Sequence, residues 1–324
     1  MQDFIFGMKG EIMNVVVVGL GKIARRIIQG ISEAQDATLY GVASRNKEKA
    51  LTYQKEFEAT TYFDSYEAVM QDEQVELVYL ATINDVHYLQ IKDMLMHKKH
   101  VLCEKPMVAS EKEVAELFAI AKANNVFLME AHKGLFTPLN QKLKKLVDAG
   151  KIGDLVALDA TYSSCVYADP AYHSHWVFNA GFGGCTYDIG VYPISYINYF
   201  ANSDLKDIHV ERIKDKDHVE IFSKGLIRYS NEVIATFQSG WNASNENNAF
   251  IYGTKGFIKT KNFWKTNIAV FVDNSGNEET IRVPLVSDFK GEIEHAIHCI
   301  TNNYLQSPIM GEKQSMAILK VVNH

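Results

Sequence analysis

The sequence holds few cysteines, and their spacing predicts neither a disulfide framework nor a metal site. Four occur in 324 residues, at Cys103, Cys165, Cys185 and Cys299, with no CxxC pair among them. Widely separated thiols of this kind are typical of reduced cysteines in the cytosol. No carboxylate–histidine spacing supplies another set of metal ligands. We therefore expect a cytoplasmic protein that carries no metal ion.

The chain also lacks an excess of basic residues, because 33 Lys and Arg stand against 39 Asp and Glu, a net charge of -6. No basic run interrupts that balance, which argues against a nucleic-acid surface. No apolar run approaches the roughly 20 residues that a membrane helix needs, so no membrane span is expected. The apolar part of residues 1–12 is too short for a secretory signal. Met13 directly precedes the first predicted strand, and residues 1–12 are expected to be dispensable.

What the chain does contain is a strand, a glycine turn and a helix in succession, VVVVGLGKIARRII at residues 15–28. The four valines fit a buried parallel strand. Gly19, Gly21 and Ala24 then have G-x-G-x-x-A spacing. In this pattern the glycines allow a tight turn and the approach of a pyrophosphate, and the alanine allows close helix packing. The helix amides would face the phosphates, so the pattern predicts dinucleotide binding. The alternative is an ordinary glycine turn in an α/β domain.

Strand and helix patterns alternate through the first part of the chain and change after about Pro138. The alternation predicts a parallel sheet with helices on both faces and a ligand site at the carboxyl ends of its strands. From residue 155 onward short strand patterns follow one another, with hairpin turns expected at 223–225 and 274–277. We predict an α/β protein with a Rossmann dinucleotide-binding domain at 1–134. A C-terminal α+β domain with a large, mostly antiparallel sheet would occupy 135–324.

The residues after the second predicted strand bear on the choice of cofactor. NAD-binding folds usually place Asp or Glu about 20 residues past the glycines, on the ribose hydroxyls. Here Ser44 and Arg45 stand at that position, and Lys49 follows one helical turn later. A carboxylate would repel a 2′-phosphate, whereas a hydroxyl and two cations would bind it. The sequence favours NADP and leaves NAD open, since the same charges also suit a solvated helix start.

Further segments match one family in the right order along nearly the whole chain. They are the G-x-G-x-x-A turn, Ala-Thr-x-Asn-x-x-His at 81–87, Glu-Lys-Pro at 104–106, Met-Glu-Ala at 129–131 and Gly-Gly-x-x-Tyr-Asp-Ile-Gly-Val-Tyr at 183–192. On these motifs the chain resembles the glucose–fructose oxidoreductase/inositol dehydrogenase-like (Gfo/Idh/MocA) family, most of all its dimeric dihydrodiol dehydrogenase-like branch. Two departures are Ile83, where proline is frequent, and His132 with Lys133, where residues vary with substrate. The second leaves the substrate open.

The Glu-Lys-Pro segment places a lysine where hydride transfer can use it. At the end of a parallel strand, the ammonium group can stabilise the negative charge that develops on a substrate oxygen. The phenol of Tyr192 has an ordinary pKa of roughly 10, which a neighbouring Lys105 cation should lower. The resemblance implies that Lys105 and Tyr192 relay the proton, and that Asp188 orients substrate or lysine. Without that resemblance, Tyr192 would be interpreted as a packed core residue.

The resemblance and its motifs also supply the remaining candidate site residues. Those expected to bind the cofactor are Gly19, Gly21, Lys22, Ile23, Ser44, Arg45, Lys49, Ala81, Thr82, Asn84, His87, Glu104 and Lys105. Those expected to face the substrate are Lys133, His175, Trp176, Asp188 and Tyr192. His175 and Trp176 belong to an aromatic-rich loop that can stack on a sugar or diol ring while its imidazoles bind hydroxyl groups.

Together these features predict an NAD(P)-dependent oxidoreductase that interconverts a secondary alcohol and a carbonyl on a sugar, polyol or cyclic diol. The alternative is a regulatory protein that senses a dinucleotide on the same fold without chemistry. An open antiparallel sheet needs a cover on its outer face. The resemblance implies that a second subunit covers it, in a dimer or tetramer. Ile251, Phe257, Ile258 and Phe271 are candidates for the covered face.

Overall fold

The computed structural model describes residues 12–170, 176–178 and 183–324. Its first half is a six-stranded sheet with strand order β3-β2-β1-β4-β5-β6, in which every pair is parallel. The strands are β1 Met13–Val18, β2 Ala37–Ala43, β3 Thr61–Phe63, β4 Leu77–Leu80, β5 His100–Glu104 and β6 Leu128–Ala131. The helices between them are α1 Ala24–Glu33, α2 Lys47–Phe57, α3 Tyr66–Gln71, α4 His87–Met96 and α5 Glu111–Asn124. The predicted parallel sheet is confirmed.

A second sheet of eight strands follows, in the order β14-β13-β12-β11-β7-β10-β9-β8. Among the described pairs only β7 and β10 are parallel, so the predicted mostly antiparallel character is confirmed. The strands are β7 Leu155–Ser163, β8 Leu205–Lys214, β9 Glu220–Tyr229, β10 Ile234–Gly240, β11 Asn248–Gly253, β12 Gly256–Lys261, β13 Ile268–Asp273 and β14 Glu278–Arg282. The helices α6 Pro138–Asp148 and α7 Val191–Ala201 accompany them.

One expected hairpin turn is wrong. Residues 223–225 lie inside β9, which runs unbroken from Glu220 to Tyr229 and pairs with both β8 and β10. Gly225 has a packing reason instead, because a Cβ at that position would overlap the ring of Phe237 on β10. The other expected turn, at 274–277, does join β13 to β14.

Of the four apolar residues expected on the outer face of the second sheet, three lie on its inner face instead. Ile251, Ile258 and Phe271 are buried in the main core together with side chains of α7, so they point inward. Phe257 lies on the other face, where its ring centroid is 5.9 Å from that of Tyr252. Phe257 and Ile258 are adjacent in β12 and therefore point to opposite faces, so the four residues cannot share the outer face. Packing against α7 decides which face belongs to the core.

The last two helices return to the first half of the chain. Helix α8, Lys290–Thr301, packs on α1 so closely that a Cβ on Gly30 would lie 2.7 Å from Phe289 Cβ. Helix α9, Glu312–Val322, contributes Leu319 to the core on the other face of the parallel sheet. Among the residues that the structure describes, no helix is long and apolar enough to cross a membrane. No group of three His, Cys, Asp or Glu in those ranges is arranged to hold a metal ion.

Candidate active site

The glycine turn after β1 lies at the carboxyl ends of the parallel strands, which is where sheets of this kind have their ligand groove. Gly19 has a φ of 94°, and a Cβ there would lie 2.7 Å from the backbone of Ala81, so the position requires glycine. A Cβ on Gly21 would meet no atom within 4 Å in the described chain, which leaves space for a phosphate. Lys22 is exposed and Ile23 half-buried beside it. Helix α1 has no side-chain cap and no acid in its first turn within the described residues, so its amides favour an anion.

The residues expected to choose between NAD and NADP lie beside this turn. The Gly19 N–H donates to the carbonyl oxygen of Ala43 at 3.1 Å, which joins the glycine turn to the end of β2. Ser44 follows directly and is half-buried, while Arg45 and Lys49 are exposed. A hydroxyl and two cations at the rim of the groove fit a 2′-phosphate, because an anion there would gain charge-assisted hydrogen bonds.

The exit of β4 provides the facing wall. Thr82 and Asn84 are half-buried there, and Asn84 Nδ2 is a buried donor that has no partner among the described residues. Such a donor is available to a ligand. His87 is fully buried, and its ring nitrogens each lie 3.2 Å from a carbonyl oxygen, of Thr82 and of Pro106. Burial lowers the pKa of His87. Its ring thus ties the β4 exit to the loop after β5.

Lys105, Asp188 and Tyr192 come together at the end of β5. Lys105 Nζ lies 4.7 Å from the centroid of the Tyr192 ring and 3.6 Å from Asp188 Oδ1. It also donates a hydrogen bond to the main-chain carbonyl oxygen of Asp188. The lysine side chain is 11% exposed and the aspartate side chain 29%. The ammonium is therefore held by one residue in two ways, in a side chain that is not fully buried.

The pKa of Tyr192 differs from the expectation. Burial raises it well above its ordinary value, and the charge of Glu104 raises it further, followed by Tyr162 and Asp188. The expected lowering by Lys105 is outweighed, since desolvation disfavours the phenolate and the lysine charge is already paired with Asp188. In this arrangement the Tyr192 hydroxyl keeps its proton at neutral pH.

Aromatic rings form the wall behind Tyr192. Tyr162 from β7 meets it edge-on at 5.6 Å and stacks on Trp264 at 3.8 Å with an interplanar angle of 12°. Burial raises the pKa of Tyr162 to about 12, so its hydroxyl is protonated at neutral pH. Of the two loop residues expected at the substrate, His175 lies outside the described residues. Trp176 begins a short 3₁₀ turn, and its side chain is also outside the described part.

Lys133, expected at the substrate, is buried in an ion-pair cluster. Its Nζ lies 2.6 Å from Asp288 Oδ2 and 4.3 Å from the ring centroid of Phe289. Arg26 from α1 reaches the same carboxylate at 2.6 Å and the same ring at 5.1 Å. The C-terminal segment before α8 therefore supplies the anion between two cations of the first domain. Lys133 is 6% exposed, so a substrate would reach it only in competition with Asp288.

Beneath Lys105, two glutamates share one tyrosine. Tyr79 Oη lies 3.0 Å from Glu104 Oε1 and 2.7 Å from Glu292 Oε1. Glu104 was expected at the cofactor, and its carboxylate instead points to Tyr79 in the middle of β4. Tyr79 and Glu292 are fully buried, whereas Glu104 is half-buried.

The turn that carries Asp188 is held in place by a second ion pair, between Arg212 and Glu220. Residues Thr186–Gly190 form a π-helical turn before α7. Its first N–H, from Thr186, donates to Glu220 Oε1 at 2.9 Å. Glu220 also pairs with Arg212, which donates to the carbonyl oxygen of Val322 at 2.8 Å. The position of Asp188 thus depends on β8, β9 and the end of α9.

Comparison with known proteins places this geometry in a family. Residues 13–132 match a profile described as "Oxidoreductase family, NAD-binding Rossmann fold", and residues 140–259 match "GFO/IDH/MocA C-terminal domain". The chain belongs to the Gfo/Idh/MocA oxidoreductase family. The resemblance drawn from the motifs is confirmed, and with it a Rossmann domain of the NAD-binding type.

Relatives of this Gfo/Idh/MocA protein include the trans-1,2-dihydrobenzene-1,2-diol dehydrogenase of Xenopus laevis, 27% identical over 95% of each chain. The NADP-dependent scyllo-inositol 2-dehydrogenase of Bacillus subtilis is 33% identical over 60% of each chain. Among solved structures, the aldose–aldose oxidoreductase of Caulobacter crescentus superposes with a TM-score of 0.87. It is 21% identical, over 96% of this chain and 95% of that one. At that identity the structural likeness shows the shared fold.

Several residues of this Gfo/Idh/MocA site carry no signal in the sequence. Tyr79 lies in an apolar strand, and Tyr162 and Trp264 lie in segments with no motif. Asp288 and Glu292 come more than 150 residues after their partners in the first domain. An acidic residue at the start of a helix is common on protein surfaces, so only the packing of α8 on α1 reveals these two.

Proposed function

We propose that this protein is an NADP-preferring oxidoreductase that interconverts a secondary alcohol and a carbonyl on a sugar, polyol or cyclic diol. Residues 1–134 would bind the dinucleotide, and 135–324 would supply the substrate side and the subunit contact. The observation that carries the proposal is the position of Lys105 Nζ, between Asp188 and the Tyr192 ring at the end of β5. That end of the strand opens on the same groove as the glycine turn.

The substrate class is supported by the relatives. The dehydrogenases of Xenopus and Bacillus are named for a dihydrobenzene diol and for an inositol, both of which are rings with neighbouring hydroxyl groups. The aromatic wall of Tyr162 and Trp264 suits such a ring, since aromatic faces pack against the C–H surface of a cyclic substrate. Asp188, with a side chain 29% exposed, can accept a hydrogen bond from a second hydroxyl.

The chemistry divides between the cofactor and three side chains. The bound nicotinamide would accept or give the hydride, and the protein would position the substrate against it. Lys105 Nζ would hydrogen-bond the reacting oxygen and stabilise the negative charge that develops there. Tyr192 Oη would give its proton to that oxygen in the reducing direction and take it back on oxidation. Asp188 would fix Lys105 through its carbonyl and carboxylate oxygens.

The preference for NADP is proposed from Ser44, Arg45 and Lys49 at the groove rim, where an NAD-binding protein would usually have a carboxylate. The second candidate, a dinucleotide sensor without catalysis, is favoured by no observation in the site. Both Lys105 and Tyr192 are present and oriented toward each other, and a sensor would not need this pair.

We also propose a cytoplasmic homo-oligomer, paired through the outer face of the second sheet. On that face Phe250 and Tyr252 stack at 5.7 Å, with Phe257 5.9 Å from Tyr252. Phe250 and Tyr252 border a cavity of about 410 Å³, whose other walls include Thr236 and Gln238. A mixed aromatic and polar patch of this kind is typical of subunit contacts. Dimer and tetramer both remain open.

The experiment that tests the function compares single and double variants of the reacting pair. Tyr192→Phe keeps the ring but removes the proton, so turnover should fall by roughly 10²–10⁴ while NADPH affinity is nearly unchanged. Lys105→Met should cost charge stabilisation, and the double variant should be little worse than the poorer single one. Tyr304→Phe, at an exposed tyrosine, is the matched control. Near-full turnover of Tyr192→Phe on a panel of sugars, inositols and cyclic diols would contradict the assigned relay.

A further inference from the structure

The contacts of Tyr79 cannot be satisfied if both neighbouring glutamates are ionised. Its hydroxyl lies within hydrogen-bond distance of Glu104 Oε1 and of Glu292 Oε1, at 3.0 and 2.7 Å. A phenol has one hydrogen and can donate to only one of them. The second contact is favourable only when the phenol oxygen accepts, and a carboxyl group donates only when it is protonated. The geometry therefore requires one proton on the glutamate pair.

The proton belongs on Glu292. This side chain is fully buried, and its Oε2 is a buried atom without a partner among the described residues. A buried oxygen that accepts no hydrogen bond costs much more free energy on a charged carboxylate than on a neutral carboxylic acid, where that oxygen is a carbonyl oxygen. Glu104 is half-buried, next to Lys105, and therefore keeps the charge more easily. The N-terminal end of α8 favours an anion, but Tyr79 is the only hydrogen-bond partner described for Glu292.

We infer that Glu292 is a neutral carboxylic acid that donates to Tyr79 Oη, so that Tyr79 donates in turn to an ionised Glu104 beside Lys105. The bonds run Glu292 to Tyr79 to Glu104, from the interior toward the site. Glu292 is thus a positioning residue, because it acts on the reacting groups only through Tyr79 and Glu104. Nothing is transferred along the chain in the resting protein.

The groups that face Glu292 act in both directions on its pKa, and burial is the largest influence. Burial raises the pKa of Glu292 well above its ordinary value, and the charge of Glu104 raises it further. Lys133 opposes that effect, while Asp288 adds to it. The charges of Glu104 and Glu292 both face Tyr192 and raise its pKa when present. The proton on Glu292 therefore limits the pocket to one negative charge beneath the reacting pair.

The first test is infrared spectroscopy of the unliganded protein, which depends on no catalytic role. A protonated carboxyl group has its own C=O stretching band, separate from carboxylate bands. We expect that band in the wild type at neutral pH, lost in Glu292→Gln and kept in Glu104→Gln. Glu294→Gln, two residues along the same helix and paired with Lys290, is the matched control and should keep it. A band that persists in Glu292→Gln, or that is absent from the wild type, would overturn the inference.

The second test is the pH dependence of unfolding, compared between the wild type and Glu292→Gln. A folded pKa above the unfolded value of about 4.3 stabilises fully only below pH 4.3. That stability is lost as pH rises toward the folded pKa. The unfolding constant of the wild type relative to the variant should therefore grow by about tenfold per pH unit across this window. A flat ratio from acid to neutral pH would contradict a neutral Glu292.

The third test concerns the reacting pair and rests on the proposed function. Reductive turnover should fall at alkaline pH as Tyr192 loses its proton. Glu104→Gln removes a charge that faces Tyr192, so its alkaline limb should move to lower pH. Glu292→Gln removes no charge and should not move it. An equal shift in both variants would show an ionised Glu292. If the wild type has no turnover at all, the proposed function fails, while the infrared and unfolding results still locate the proton.

Discussion

Replacing Glu220 tests how the fold holds the turn that carries Asp188. The Glu220 carboxylate accepts from the Thr186 N–H at 2.9 Å and pairs with Arg212, which also donates to the Val322 carbonyl oxygen. Glu220→Gln keeps one acceptor for Thr186. It replaces the other oxygen with an amino group that faces the guanidinium, so donor meets donor and the arginine charge loses its partner.

The structure sets the size of the effect. The side chain of Arg212 is 19% exposed and that of Glu220 is 12% exposed, which makes this a largely buried pair. Removing one partner of a buried pair costs about 3–5 kcal/mol of unfolding free energy. Because Arg212 keeps its contacts with the end of α9, we expect the lower end, about 3 kcal/mol. The control is Glu279→Gln. Glu279 is 57% exposed and its ion-pair partner Lys151 is 34% exposed, so this pair contributes only about 0–1 kcal/mol to the free energy of unfolding.

Thermal unfolding of the two variants beside the wild type measures this difference. Domains of 150–250 residues lose about 2–4 °C in Tm per kcal/mol, so Glu220→Gln should lose roughly 6 °C or more. Glu279→Gln should lose no more than about 4 °C. Reductive turnover should fall in Glu220→Gln alone, since the carbonyl oxygen of Asp188 holds Lys105. Equal Tm losses in the two variants would refute the reasoning.

Three further predictions concern the cofactor, pH and assembly. Arg45→Ala should weaken NADPH binding more than NADH binding in a fluorescence titration; equal affinities in the wild type would exclude the proposed preference. Burial would raise the pKa of Asp288, but Lys133 and Arg26 lower it, so its contribution is present above about pH 3.9 and lost as pH falls. Asp288→Asn should therefore flatten the acid limb of stability measured by denaturant unfolding. Light scattering at micromolar concentration should give at least twice the monomer mass and a smaller mass for Tyr252→Lys, whereas a monomeric wild type would contradict pairing through the sheet.

Much of the site could be predicted because its parts are local in the chain. The turn at Gly19 and Gly21 needs only neighbouring residues, and its φ of 94° follows from the same sequence that builds β1 and α1. Lys105 directly follows a buried strand, and Asp188 and Tyr192 lie one turn apart. Once parallel strands align their carboxyl ends, such segments meet without further information.

Burial and charge at the site could not be predicted in this way. A lysine near a tyrosine was expected to lower the phenol pKa, but desolvation and Glu104 raise it, and neither can be read from spacing. Lys133 is expected at the substrate from the sequence, and the structure adds its ion pair with Asp288, which the sequence did not predict. Asp288 is far away in the sequence, and its position depends on where the chain returns after the second sheet.

The sequence by itself determined the parallel sheet, the dinucleotide turn, the antiparallel second sheet and the family, because each follows from local periodicity or a short motif. The tertiary structure decided which face of the second sheet is covered, since strand alternation is symmetric until α7 packs on one side. It also decided that Glu292 lies under Glu104. The hydrogen bond between Tyr79 and Glu292 joins residues 213 positions apart, and only the packing of α8 against the first domain brings them together.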